Sequence, residues 1–233
     1  TSSRDKILDK LRAPRPPFPD APLRPDAYLP VTEVDDTSPD GLLARFTEEL
    51  ERLRGSVHAV TGDTEACEKV LERLRQHHVD HVLSWDFQYI PVGGLNGALG
   101  AAGVRVTFPD LHADGRDDHT RLIKSAGAGL IGADAVAAAT GTLILSTAPG
   151  KGRVPSVLPP VLIAVVTLDQ LLPRLESWLA RERASGMPAI LGSSNLCFIT
   201  GPSRTGDIEM QLVLGVHGPG IVEVVVKRPE TGS

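Results

Sequence analysis

Val161-Leu162-Ile163-Ala164-Val165-Val166 is an unbroken apolar run with no polar position in it. A strand with one wet face alternates apolar and polar residues, so this run predicts a strand covered on both faces. Working outward, residues 130–139 and 142–147 are further apolar runs separated by turn-rich segments. Upstream, residues 57–61, 82–85 and 105–108 read as strands. Between them, 63–78 reads as a helix capped by Asp63, and 117–126 as another. Strand and helix alternating in this way predicts parallel pairing through crossover helices. The expected fold class is therefore α/β, a mainly parallel sheet flanked by helices.

Several local readings complete the outline. Ser38 and Pro39 are suited to the N-cap and first position of a helix that carries Leu42, Leu43, Phe46, Leu50 and Leu53 at helical spacing and ends at Gly55. Gly94, Gly97, Gly100 and Gly103 recur every third residue, which predicts a short helix or loop lying close against the sheet. Residues 168–184 read as one long amphipathic helix carrying Leu171, Leu172, Leu175, Trp178 and Leu179. Residues 196–201 and 222–227 supply the last strands. Before the core, residues 5–11 read as a short helix. Pro14, Pro16, Pro17, Pro19, Pro22, Pro25 and Pro30 then rule out regular structure, since each lacks an N–H and has a fixed φ. This stretch is either an arm laid across a partner or second subunit, as in a homodimer, or a tail. The expected division is 1–37, helix and arm, and 38–228, one α/β domain.

Bulk properties narrow the function. The 233 residues are 41% hydrophobic and 23% charged, ordinary for a globular chain. A formal net charge of -5, with no basic block to offset it, argues against nucleic acid or anionic lipid as partner. No apolar stretch reaches the roughly 20 residues of a membrane helix. Thr1-Ser2-Ser3-Arg4-Asp5 has no secretory apolar core, so a cytoplasmic location is expected. The two cysteines, Cys67 and Cys197, sit in apolar patterns and read as packed thiols. Two thiols cannot supply the four that an ordinary iron–sulfur cluster takes.

Three loops hold the chemistry. Ser146 to Arg153 follows an apolar strand, Thr200 to Glu209 follows another, and Gly215-Val216-His217-Gly218-Pro219 comes third. Ligands of open α/β sheets bind outside the carboxyl ends of strands, the position expected for the first two loops. Ser203, Arg204 and Thr205 offer two hydroxyls and a guanidinium fork suited to a carboxylate or phosphate. Lys151 and Arg153 add charge from the neighbouring loop. The competing reading is a turn in which Arg204 pairs with Asp207 or Glu209. His217, between two glycine-containing turns, is a candidate acid or base. A Ser203–His217–Asp207 triad can be drawn, but no G-x-S-x-G elbow supports it. His77, His78 and His81 read as a solvated helix end, and His112 and His119 as part of a polar loop. No metal site is expected.

Taken together, certain of these segments resemble a known family. Ala139-Thr140-Gly141-Thr142-Leu143, the run from Leu158 to Val166, and Ile199-Thr200-Gly201-Pro202-Ser203-Arg204-Thr205-Gly206-Asp207-Ile208-Glu209 look like the LUD domain of the lactate-utilisation protein C family. Leu212-Val213-Leu214-Gly215-Val216-His217-Gly218-Pro219 strengthens the likeness. The resemblance implies a fold of the NagB/RpiA/CoA-transferase type. It also implies a part in oxidising L-lactate to pyruvate beside iron–sulfur subunits that carry the clusters. Thr140 and Thr142 join Ser203, Arg204, Thr205, Lys151, Arg153, Asp207 and Glu209 as ligand-site residues without assigned roles. The family often places an acidic residue before Thr-Gly-Thr, and here that position is Ala139. The fold superfamily also suggests an alternative, a stand-alone enzyme or binding protein for a CoA ester, sugar phosphate or folate-like ligand. The cofactor, and catalysis by the isolated chain, stay unassigned.

Overall fold

The computed structural model describes residues 2–12, 33–109, 116–206 and 212–230. It divides into two units, Thr1–Glu33 and Val34–Ser233. In the first, α1 (Ser3–Arg12) starts at Ser2, whose hydroxyl exchanges hydrogen bonds with Asp5.

The second unit opens on α2 (Pro39–Arg52). Ser38 accepts the Gly41 N–H at 3.1 Å, and Leu42, Leu43, Phe46 and Leu50 are buried. The left-handed residue that turns the chain out of α2 is Arg54 (φ 68), one position before the expected Gly55. There follow β1 (Ser56–Thr61), α3 (Gly62–Gln76), β2 (His81–Ser84), α4 (Leu95–Ala101), β3 (Arg105–Thr107), α5 (Arg116–Lys124) and β4 (Ala128–Ile131). The chain continues through β5 (Ala135–Ala137), β6 (Thr142–Ser146), α6 (Val154–Val157), β7 (Val161–Thr167) and β8 (Leu171–Leu172). It ends with α7 (Leu175–Ala184), α8 (Pro188–Leu191), β9 (Leu196–Thr200), β10 (Arg204–Gly206), β11 (Leu212–Leu214) and β12 (Ile221–Arg228).

Six strands form an all-parallel sheet in the order β1-β12-β7-β4-β2-β3. The run that decided the fold class is β7, in the middle of this sheet. Its residues Leu162 to Val166 are fully buried, as two covered faces require. A second sheet, β8-β5-β6-β9, lies beside the first. Its alternation sends Val136, Leu143 and Leu145 into the main core, while Ala135, Ala137 and Ile144 meet Trp178 of α7. The ribbon β10–β11 forms a separate antiparallel pair.

Four sequence readings are corrected. Residues 130–139 are not one strand: β4 ends at Ile131, and the chain crosses at Gly132 into β5 of the other sheet. Residues 168–184 are not one helix. A 3₁₀ turn (Leu168–Gln170), β8 and Pro173 precede α7, because a proline cannot donate into a helix interior. Asp63 does not cap α3; Thr61 holds that position, and Asp63 pairs with Lys227 at 2.6 Å. The glycines at 94, 97, 100 and 103 face open space, so they do not bring α4 close to the sheet. The close approaches are at Gly129 and Gly132, where a Cβ would strike the carbonyl oxygens of Pro155 and Tyr89.

Candidate functional site

The parallel sheet has a topological switch. From β2 the chain steps outward to β3, whereas β4, β7 and β12 step the other way. The crevice between the carboxyl ends of β2 and β4 is where ligands of such sheets bind. The segment from Ser146 to Arg153 covers that point. The Asp86 N–H donates to Gly150 O (2.8 Å), and Trp85 Nε1 donates to Gly152 O (2.7 Å). Beneath this turn Lys151 is only 6% exposed. Its ammonium pairs with Asp134, donates to Ser146 Oγ at 3.1 Å, and lies 5.2 Å and 5.7 Å from the ring centroids of Trp85 and Tyr89. Arg153 is exposed, and its carbonyl accepts from the backbone and hydroxyl of Ser156.

The second predicted loop lies at the other edge. The Ser203 N–H donates to Pro219 O at 2.8 Å, and Gly220 N–H donates to Pro160 O, immediately before the amino ends of β12 and β7. The exposed Arg204 donates through its guanidinium to Leu53 O, just before β1 begins. Thr140, Thr142 and Thr200 join this edge as a chain of hydroxyls, with Oγ1 separations of 2.7 Å and 2.8 Å. Thr205 pairs with Val213 across the ribbon, and His217 is exposed on the loop after it. Asp207 and Glu209 lie outside the described residues.

The expectation that Lys151 and Arg153 reinforce Arg204 is therefore not met for Lys151. β6 and β9 are antiparallel, with Ser146 opposite Leu196 and Thr142 opposite Thr200. Lys151 lies beside the Ser146 end and Arg204 follows the Thr200 end. One strand length, about 13 Å for these residues, separates the two ends. The carboxyl-end rule likewise holds for the first loop and not for the second.

One cluster was missed in the sequence. Glu223 on β12 is buried and accepts from His58 Nε2 at 2.6 Å and His77 Nε2 at 2.7 Å, with Arg73 Nε at 3.7 Å. Burial pushes its carboxyl up, but the two imidazole hydrogen bonds and the Arg73 charge prevail and hold it below the usual range. His77 and His81 are thus not a solvated helix end. His81 is buried, with Nε2 2.9 Å from Thr107 Oγ1, and desolvation followed by the Arg105 charge lowers its pKa. The available signal was a lone Glu inside an apolar strand, which demands partners. Among the described residues no group of three or more His, Cys, Asp or Glu could hold a metal ion.

The LUD domain model matches residues 43–226. Lactate utilization protein C of Halalkalibacterium halodurans is 34% identical over 209 residues, 84% of this chain and 84% of that protein. The protein of the same name from Shouchella clausii is 31% identical over 229 residues, 93% and 94% of the two chains. The crystal structure of a duf162 family protein from Deinococcus radiodurans has the same fold, with a TM-score of 0.57 at 19% identity over 82% of this chain and 99% of that one. The chain belongs to the LUD domain family.

Proposed function

We propose that this LUD domain protein takes part in lactate utilisation, the role that its relatives' names give to them. In this reading it is a member without an iron–sulfur cluster, and it binds a small anion along the amino edge of the sheet. The observation that carries the reading is Arg204. Arg204 is exposed at the head of the β10–β11 ribbon, with His217 on the next loop, and its guanidinium has N–H groups beyond the one given to Leu53 O. This lies inside the stretch that most resembles the family. The N–H groups of a guanidinium suit a carboxylate, the group that lactate and pyruvate share. Oxidising lactate to pyruvate releases two electrons, and cluster-bearing partners would take them, since two cysteines fall short of the usual four ligands.

Calorimetry and thermal shift on the purified chain test this, with L-lactate, pyruvate, phosphate and acetyl-CoA as ligands. Lactate or pyruvate is expected to stabilise the protein, and Arg204→Ala to weaken binding by about 1.5–3 kcal/mol, the range for a charge-assisted hydrogen bond. Stabilisation by acetyl-CoA alone would favour a stand-alone CoA-ester protein, and unchanged affinity in the variant would move the anion elsewhere. Tagged protein from lactate-grown cells is expected to bring cluster-bearing subunits with it.

A further inference from the structure

We propose that Lys151, Ser146 and Asp134 form a second, covered site at the carboxyl edge, which takes a short 2-hydroxy carboxylate when the exposed turn Ala148-Pro149-Gly150 lifts and the Lys151 ammonium stays in place. The place is the switch point between β2 and β4, the position at which ligands of such sheets bind. Burying the Lys151 ammonium against an Asp134 carboxylate that stays partly exposed gains little stability, because the ammonium loses its water. A buried ammonium at a sheet's binding position is thus better explained by what it holds than by stability.

The groups complement a hydroxy acid atom by atom. A ligand carboxylate would accept from the Lys151 ammonium and the Ser146 hydroxyl, which already lie 3.1 Å apart. A hydroxyl on the next carbon would donate to the Asp134 carboxylate, which pairs with the same ammonium. A 2-keto acid has only acceptors there and would set oxygen against oxygen. Trp85 and Tyr89 wall the ammonium and lower the local dielectric. Arg181 on α7 reaches Asp134 O at 3.4 Å and adds positive charge nearby.

The cover is thin. Ala148, Pro149 and Gly150 are exposed, and the turn closes on itself through Lys151 N–H to Ala148 O at 2.9 Å, with Gly150 at φ 74. The bonds from Asp86 and Trp85 to Gly150 and Gly152 tie it down. Lifting it breaks the bond from Asp86 to Gly150 and uncovers the neighbouring Trp85 indole. The choice of a hydroxy acid rests on the lactate reading above; the site's geometry does not.

Tryptophan emission of the full chain reads the event directly. Titration with L-lactate is expected to give a saturable change that vanishes in Trp85→Phe, with pyruvate and acetate binding about tenfold more weakly for want of the donated hydrogen bond. Lys151→Gln is expected to lose the response. Should that variant not fold, Ser146→Ala removes only a hydroxyl and is expected to weaken lactate about tenfold. The proposal is overturned by an absent response, one that survives in Trp85→Phe, equal affinity for lactate and pyruvate, or indifference to both site substitutions. Arg204→Ala separates the two readings: a Trp85 response lost there but kept in Lys151→Gln would place the acid at the amino edge and leave only the first reading standing.

Discussion

His77, the residue that closes α3, places Nε2 2.7 Å from Oε1 of Glu223 on β12. With His58 on the other oxygen, one buried carboxylate ties the edge strand β1, the end of α3 and β12 together. Glu223→Ala leaves two imidazoles and Arg73 facing an empty acceptor position. A loss of about 3–5 kcal/mol in denaturant unfolding is expected, the range for breaking a buried pair from one side. A change within about 0.5 kcal/mol, the level of ordinary surface substitutions, would show that the cluster does not hold these elements.

The same carboxyl sets an acid limit. Its folded pKa lies below the unfolded value of about 4.3, so its contribution is fully present above that pH and is lost as pH falls through the folded value. Thermal unfolding from pH 6 downward should therefore show the native protein losing stability over that window. Glu223→Gln should start lower and fall less steeply.

His81 acts in the same direction through a base. Its folded pKa is lowered by burial first and the Arg105 charge second, so the unfolded chain binds the proton more readily. The stability this supplies is complete above about pH 6.5 and is lost as pH falls through the folded value. An NMR titration of the imidazole should give a midpoint below 6.5; one at or above it would mean that burial and the Arg105 charge do not hold the ring neutral.

Glycines at two positions should respond in opposite ways to alanine. Gly97 is interior to α4 with open space where a Cβ would go, so Gly97→Ala should stabilise by about 0.5–1 kcal/mol. At Gly129 the Cβ would strike the Pro155 carbonyl, so Gly129→Ala must displace α6 from β4 and should destabilise by more than 1 kcal/mol. Paired melts of the two variants decide it.

Much of the fold was legible because it is local. Pro39 behind Ser38 and the Leu42–Phe46–Leu50 spacing define a helix whatever surrounds it. Where local signals competed, reading failed: the apolar period of residues 168–184 outweighed Pro173, and an apolar run concealed the step at Gly132 between sheets. The candidate site was less legible still. Lys151 was recognisable as a charged residue in a glycine-rich loop after a strand. That it turns inward to Asp134, away from Arg204, depends on β6 and β9 running antiparallel.

By itself the sequence determined the α/β class, the doubly covered strand β7 and the segments that carry charge and hydroxyls, since these follow from propensity and periodicity over a few residues. Only the tertiary structure decided which edge of the sheet each loop occupies and which groups meet. Glu223 and His58 are 165 residues apart in the chain, and Arg204 and Leu53 are 151 apart. Contacts at that range are fixed by strand order and register, to which no stretch of neighbouring residues is sensitive.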